Sequence, residues 1–288
     1  MKKMIGLIIA LTLVLSLCAC GGQPAAEQET ENGAASGEVT QADIEKNIVG
    51  TWIKFEVDGQ PALTNEKIVF DIVSTTGAYE SISQTNGATP FDGATPFDVA
   101  TPFSYNDKGE VDINGNVVTI TLTNPNPDVK SVENEFTITD INDSGFTANR
   151  KFTLAIEGTD PLIREETVTF VKVNDDYSDD IIGTWEGCCT SEGSVFDDGQ
   201  DHRWEYKDDG TFVYYVKNGD DWVPSEDTMN EYFVAGNLLC SRWMENGQEN
   251  REWWEISIDG DKMNWTALRE DEDGKTFTAT FEMTIVEE

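Results

Sequence analysis

From about residue 50 onward, apolar residues recur at every second position. Thr167-Val168-Thr169-Phe170-Val171-Lys172-Val173 alternates cleanly, and so does Phe277-Thr278-Ala279-Thr280-Phe281-Glu282-Met283-Thr284-Ile285. Trp204 and Tyr206 share one side of an extended segment. So do Phe212, Tyr214 and Val216, then Ile256 and Ile258, then Met263, Trp265 and Ala267. A period of two sends alternate side chains to opposite faces of a strand. Asn114-Gly115, Asp209-Gly210 and Asp259-Gly260 punctuate these runs, and such pairs close tight hairpins. No helical period is sustained after residue 50; a helical turn is expected only around Asp43 to Lys46. Many short antiparallel strands predict an all-β chain built as barrels or sandwiches.

A repeat divides the pattern. Ile48-Val49-Gly50-Thr51-Trp52 recurs as Ile181-Ile182-Gly183-Thr184-Trp185, each copy opening a segment that ends on one of the two long alternating strands. Asn174 to Asp180 is a polar joint between them. Two related β domains are therefore expected, at 44–174 and 178–288. Within the first, Ala-Thr-Pro-Phe occurs from Ala88, Ala94 and Ala100. Each proline would remove a ladder donor, so this stretch is expected to be an expanded loop, with a docking arm bearing Phe91, Phe97 and Phe103 as the alternative.

The start of the chain follows other rules. Lys2 and Lys3 precede an apolar run from Ile5 to Leu17. That run is shorter than the roughly 20 residues a spanning helix needs and has the layout of a secretory signal. Residues 21–40 carry almost no large apolar groups, a composition that cannot bury a core and reads as a flexible tether. The expected layout is a signal at 1–19 and an anchored Cys20 with its linker at 20–43.

Leu17-Cys18-Ala19-Cys20-Gly21 resembles the lipobox of bacterial lipoproteins. The resemblance implies cleavage before Cys20, a diacylglyceryl thioether on its sulfur, and a place on the extracytoplasmic face of the cell membrane. A chain carrying two or more acyl chains is held stably, whereas one alone is marginal.

Charge narrows the partners. The sequence has 19 Lys+Arg against 55 Asp+Glu; loss of Lys2 and Lys3 leaves 17 − 55 = −38. Such an excess argues against nucleic acid and against lying flat on anionic lipid. It sets no oligomeric state. Past the anchor, three cysteines remain. An exported chain allows one disulfide from Cys240 to Cys188 or Cys189, with buried thiols as the alternative. There is one histidine, His202, and no C-x-x-C pair, so neither a zinc site nor any other cofactor is expected. His202 follows an acidic turn and reads as a solvated loop residue. No nucleophile elbow or phosphate loop occurs, and no catalytic residue is assigned.

Gly-Thr-Trp at the head of a small β domain resembles the calycin group, which includes lipocalins, fatty-acid-binding proteins and bacterial lipocalin-like proteins. The resemblance implies two antiparallel up-and-down barrels, with Trp52 and Trp185 closing their bases. It also implies a late arginine over the strand A tryptophan, and Arg269 is the candidate in the second copy. Seven of the eight tryptophans lie in the second domain. Tryptophan and tyrosine give a flat apolar face with a polar edge, and such a lining suits a small apolar or amphipathic ligand. The candidate ligand-binding residues are Trp204, Tyr206, Tyr214, Arg242, Trp243, Trp254 and Trp265. Arg203, Arg242 and Arg251 are the cations from which a carboxylate ligand would draw its partner, with surface pairing to the many carboxylates as the alternative. Trp253 and Trp254 are adjacent, so one should enter the barrel and the other face outward or against a neighbour such as the first domain. The alternative to ligand binding is a non-enzymatic scaffold whose barrels are filled.

Overall fold

The computed structural model describes residues 38–77, 79–83, 105–122, 129–190, 200–245, 247–271 and 273–286. Cys20, the segments expected to be a signal and a linker up to residue 37, and the Ala-Thr-Pro-Phe stretch lie outside the described residues.

Thr40 and Asp43 cap helix α1 (Gln41–Asn47) reciprocally, and the helix buries Ile44. Strand β1 (Gly50–Val57) follows, then β2 (Gln60–Pro61), a 3₁₀ turn at Thr64–Glu66, β3 (Val69–Ile72), β4 (Tyr79–Ser83), β5 (Tyr105–Asn114), β6 (Val117–Leu122), β7 (Val129–Ile141), β8 (Gly145–Ile156) and β9 (Leu162–Val173). Apart from the β2 flap, each strand pairs antiparallel with the next along the chain, and β9 returns to pair with β1. Closure removes both sheet edges. The first half of the chain is thus a closed up-and-down barrel.

The second half repeats the plan with β10 (Gly183–Cys189), β11 (Asp201–Tyr206), β12 (Phe212–Asn218), β13 (Asp221–Pro224), β14 (Thr228–Ala235), β15 (Leu238–Glu245), β16 (Gln248–Asp259), β17 (Lys262–Glu270) and β18 (Thr276–Ile285). Its first and last strands, β10 and β18, pair. Its seam lies between β12 and β14. There a single bridge, Thr211 to Glu231, and the Tyr232 N–H donating to Gly210 O at 2.8 Å bring the two ends together. The fold is all-β, as the alternation and turns predict.

The repeated pentapeptide is a local device used twice. Trp52 Nε1 donates to Ile48 O at 2.7 Å, and Trp185 Nε1 to Ile181 O at 2.8 Å. Both indoles are fully buried, where an unpaired N–H would be costly. The intervening glycines have φ of 139° at Gly50 and 142° at Gly183, a region that side-chain-bearing residues rarely adopt. A Cβ on Gly50 would also come within 2.4 Å of the Lys172 side chain.

The two barrels pack side by side within one unit, residues 38–288. Ile53 and Val69 of the first meet Ala235, Leu238, Cys240 and Trp253 of the second in a shared apolar cluster. The Lys67 ammonium reaches Glu255 at 2.8 Å, and Thr64 Oγ1 accepts the Leu268 N–H at 2.8 Å.

Candidate functional site

The inward faces of β11, β12, β15, β16 and β17 surround a cavity of about 200 Å³ in the second barrel. Its described lining is Trp204, Tyr206, Phe212, Tyr214, Asp227, Ser241, Trp243, Glu245, Glu252, Trp254 and Trp265. Alternation selects these residues. Leu239 of β15 packs in the interior cluster, and Ser241, Trp243 and Glu245 follow it at every second position to line the cavity. Cys240, between them, packs outward against the first barrel.

The rings form a continuous set. Trp204 lies 4.8 Å from Trp265 and 5.3 Å from Tyr214 by centroid, and Trp254 lies 5.3 Å from Trp265. Phe281 meets Trp204 and Trp254 edge-on. Offset and edge-on contacts of this kind match the ring quadrupoles and stabilise beyond the area they bury. The cavity faces the seam, where Asp227 precedes β14. There Asp227 accepts from Ser225 Oγ at 2.9 Å, and the Ser225 N–H donates to Tyr214 O at 2.8 Å.

Electrostatics at the wall centre on Glu252. Arg269 donates to it at 2.9 Å, and the same guanidinium stacks 4.5 Å over Trp254. Burial raises the Glu252 carboxyl above its usual range, opposed by the charge of Arg269 and a bond from Trp254. Burial also holds the Tyr206 phenol well above its usual value, with the nearby Glu252 carboxylate adding to the rise. Both effects favour the neutral form of a group shut away from water.

Of the residues expected to bind ligand, Trp204, Tyr206, Tyr214, Trp243, Trp254 and Trp265 come together on this cavity. Arg242 does not. It stands between Ser241 and Trp243, so the strand turns it outward, where its Nε donates to Glu231 at 2.7 Å. Arg203 likewise pairs with Glu186 and stacks 4.7 Å over Trp222. Of the adjacent tryptophans, Trp254 enters the barrel and Trp253 packs against Ile53 and Val69 of the first.

Two further expectations are corrected, and of the two cysteine alternatives the structure has the thiols. Arg269 does not cover Trp185. Trp185 pairs with Ile285 while Arg269 pairs with Phe277, eight residues earlier on β18 and so about 27 Å away along a strand rising about 3.4 Å per residue. The cation over the base tryptophan occurs in the first barrel instead, where Lys172 Nζ sits 5.1 Å from the Trp52 ring. No disulfide joins the cysteines: Cys188, Cys189 and Cys240 remain thiols. Cys189 belongs to the interior cluster and Cys240 to the outer one, and β18, β17 and β16 separate their strands. His202 is not a solvated loop residue. It is buried on β11, its Nδ1 is 2.8 Å from Tyr214 Oη, and it stacks on Trp204.

Sequence reasoning also missed Phe212, Ser241, Asp227, Glu245 and Glu252 in the lining. Ser241 and Glu252 share the inward phase of Trp243 and Trp254, which is the one signal that could have found them.

No metal-binding group of three or more His, Cys, Asp or Glu residues occurs among the described residues. Among the same residues no helix is long and apolar enough to cross a membrane.

No protein-family description matches the chain, and no curated protein does. Solved structures align with it, two of them as follows. A transferrin binding protein B double mutant from Haemophilus parasuis Hp5 is 8% identical with a TM-score of 0.22, over 77% of this chain and 54% of that one. This chain thus spans about half its length. A protein of unknown function from the DUF3598 family of Nostoc punctiforme is 9% identical with a TM-score of 0.22, over 85% of this chain and 99% of that one.

Proposed function

We propose that this chain is an extracytoplasmic lipoprotein, acylated at Cys20, whose second barrel binds a small apolar or amphipathic ligand without catalysing its conversion. The observation that carries the binding reading is the cavity of about 200 Å³ walled by aromatic rings. Engineered apolar cavities of about 150 Å³ bind a benzene-sized guest, and sites for larger molecules run to about 300 Å³ and above. The ligand, or the part of it that enters, is therefore small. The anchor reading rests on Leu17-Cys18-Ala19-Cys20 following the apolar run.

The scaffold reading suits the first barrel. Its described interior is filled by Phe70, Phe136, Phe146 and Phe170 in mutual contact. Its role in this proposal is to hold the second barrel through the Trp253 contact.

Native mass spectrometry of the chain from residue 21, purified through its natural export route, tests the binding reading. A co-purifying small molecule supports it; a bare mass that fatty acids, amines and sugars leave unchanged refutes it. The N-terminal peptide should carry the mass of diacylglycerol on Cys20, and an unmodified Cys20 would overturn the anchor.

A further inference from the structure

The chemistry of the cavity wall points to the sign of the ligand's charge. Aromatic faces carry the negative end of the ring quadrupole and attract cations. Three carboxylates, Asp227, Glu245 and Glu252, join the rings in the described lining, and no Lys or Arg does. Glu252 is held by Arg269, which leaves Asp227 and Glu245 facing the cavity without a basic partner within it. An anionic ligand would need an inward arginine not already held; Arg203 and Arg242 pair with carboxylates away from the cavity, Arg251 shares the outward phase of Trp253, and Arg269 at the wall is bonded to Glu252. Trp254 already stacks a guanidinium on one face at 4.5 Å. The formal net charge of −36 concentrates cations around the molecule and repels anions.

We propose that this cavity takes a small organic cation, an ammonium or quaternary ammonium group on a short apolar body. The inference rests on the reading that the second barrel is a binding site. In it Tyr214, Trp204 and Trp243 supply the faces, and Asp227 supplies the counter-charge at the seam. A cation enclosed by several rings and stripped of water gains from this attraction. A neutral molecule of the same shape keeps only the burial of its apolar surface.

Choline and 3,3-dimethylbutan-1-ol form a matched pair of probes, identical in shape except that one carries a quaternary nitrogen where the other has carbon. Hexanoate supplies the anionic comparison. Titration of each into the full chain, followed by calorimetry and tryptophan fluorescence, should give choline at least about tenfold the affinity of the alcohol, with hexanoate weakest. Trp243→Leu stays apolar but removes a π face, and should narrow the choline preference about fivefold. Asp227→Asn, at a partly exposed position, should weaken choline and leave the alcohol unchanged. Equal or tighter binding of the alcohol or of hexanoate overturns the inference and leaves the binding reading standing. Failure of all three probes to bind overturns both.

Discussion

The two barrels share a ladder but not an interior, and the register shows where they diverge. Lys54 pairs with Phe170 in the first, and Gly187 with Met283 in the second. Matching those rungs matches Arg150 and Glu166, which pair, with Ala267 and Ala279, which also pair. It matches Ala148 and Val168 with Trp265 and Phe281. The first barrel puts long charged side chains where the second has glycine and alanine, and small side chains where the second has large rings. In the first, Arg150 meets Glu166 at 2.6 Å and Asn134 at 2.9 Å, and the Glu166 side chain is only 2% exposed. Lys54 is buried alongside, its ammonium pKa lowered by burial and partly restored by Glu166. In the second, the rings surround a cavity. The same strand plan gives a plug in one barrel and a pocket in the other, because each interior position is set by a single side chain on the inward phase.

The largest expected effect breaks the plug. Glu166→Leu alone strands Arg150 and Lys54 without their carboxylate, and should cost about 3–5 kcal/mol in urea unfolding. Adding Arg150→Leu should recover part of that loss, since replacing a whole ion pair with apolar groups is often close to neutral. A double variant less stable than the single one would show that the cluster is not a plug of paired charges.

Next is the coupling between barrels. Trp253 packs in the shared cluster and its Nε1 has no acceptor among the described residues. Trp253→Ala should cost about 3 kcal/mol and split one thermal transition into two by calorimetry. Trp253→Phe should cost much less, because no hydrogen bond is lost. A single unsplit transition in Trp253→Ala would place the coupling elsewhere.

The base device predicts equality. Trp52→Phe and Trp185→Phe each remove one indole bond to a buried carbonyl, and each should cost about 1–2 kcal/mol. A difference between them beyond that range would mean that Lys172 over Trp52 matters more than the shared motif.

The smallest effect is a pH slope. The Glu252 pKa is raised on folding, so its contribution to stability is fully present below the ordinary glutamate value of about 4.3. It is lost as pH rises through the raised value. Glu252→Gln should therefore lose less stability than the parent chain between acidic and neutral pH, as read by urea melts across that range. An unchanged slope would place Glu252 in a wetter setting than its contacts with Trp254 and Arg269 indicate.

Much of this was legible in the chain itself. Alternation and Asp-Gly or Asn-Gly turns identified the strands, and the Gly-Thr-Trp repeat identified two related halves. The six aromatic residues expected to bind ligand do meet on one cavity. Arg242, Arg269 and His202 were read by chemistry rather than phase, and all three were misplaced. Arg242 shows the cost: its neighbours Ser241 and Trp243 point in, and one residue of offset sends it out.

The sequence by itself determined which residues form strands and where the chain turns, because those depend on neighbours a few positions apart. Only the tertiary structure decided that the first barrel closes fully while the second meets at a seam, that Trp253 serves the contact between barrels, and that Glu252 answers to Arg269. Those outcomes depend on pairings between distant strands, and a local pattern of polar and apolar residues fixes which face a side chain takes but not what stands across from it.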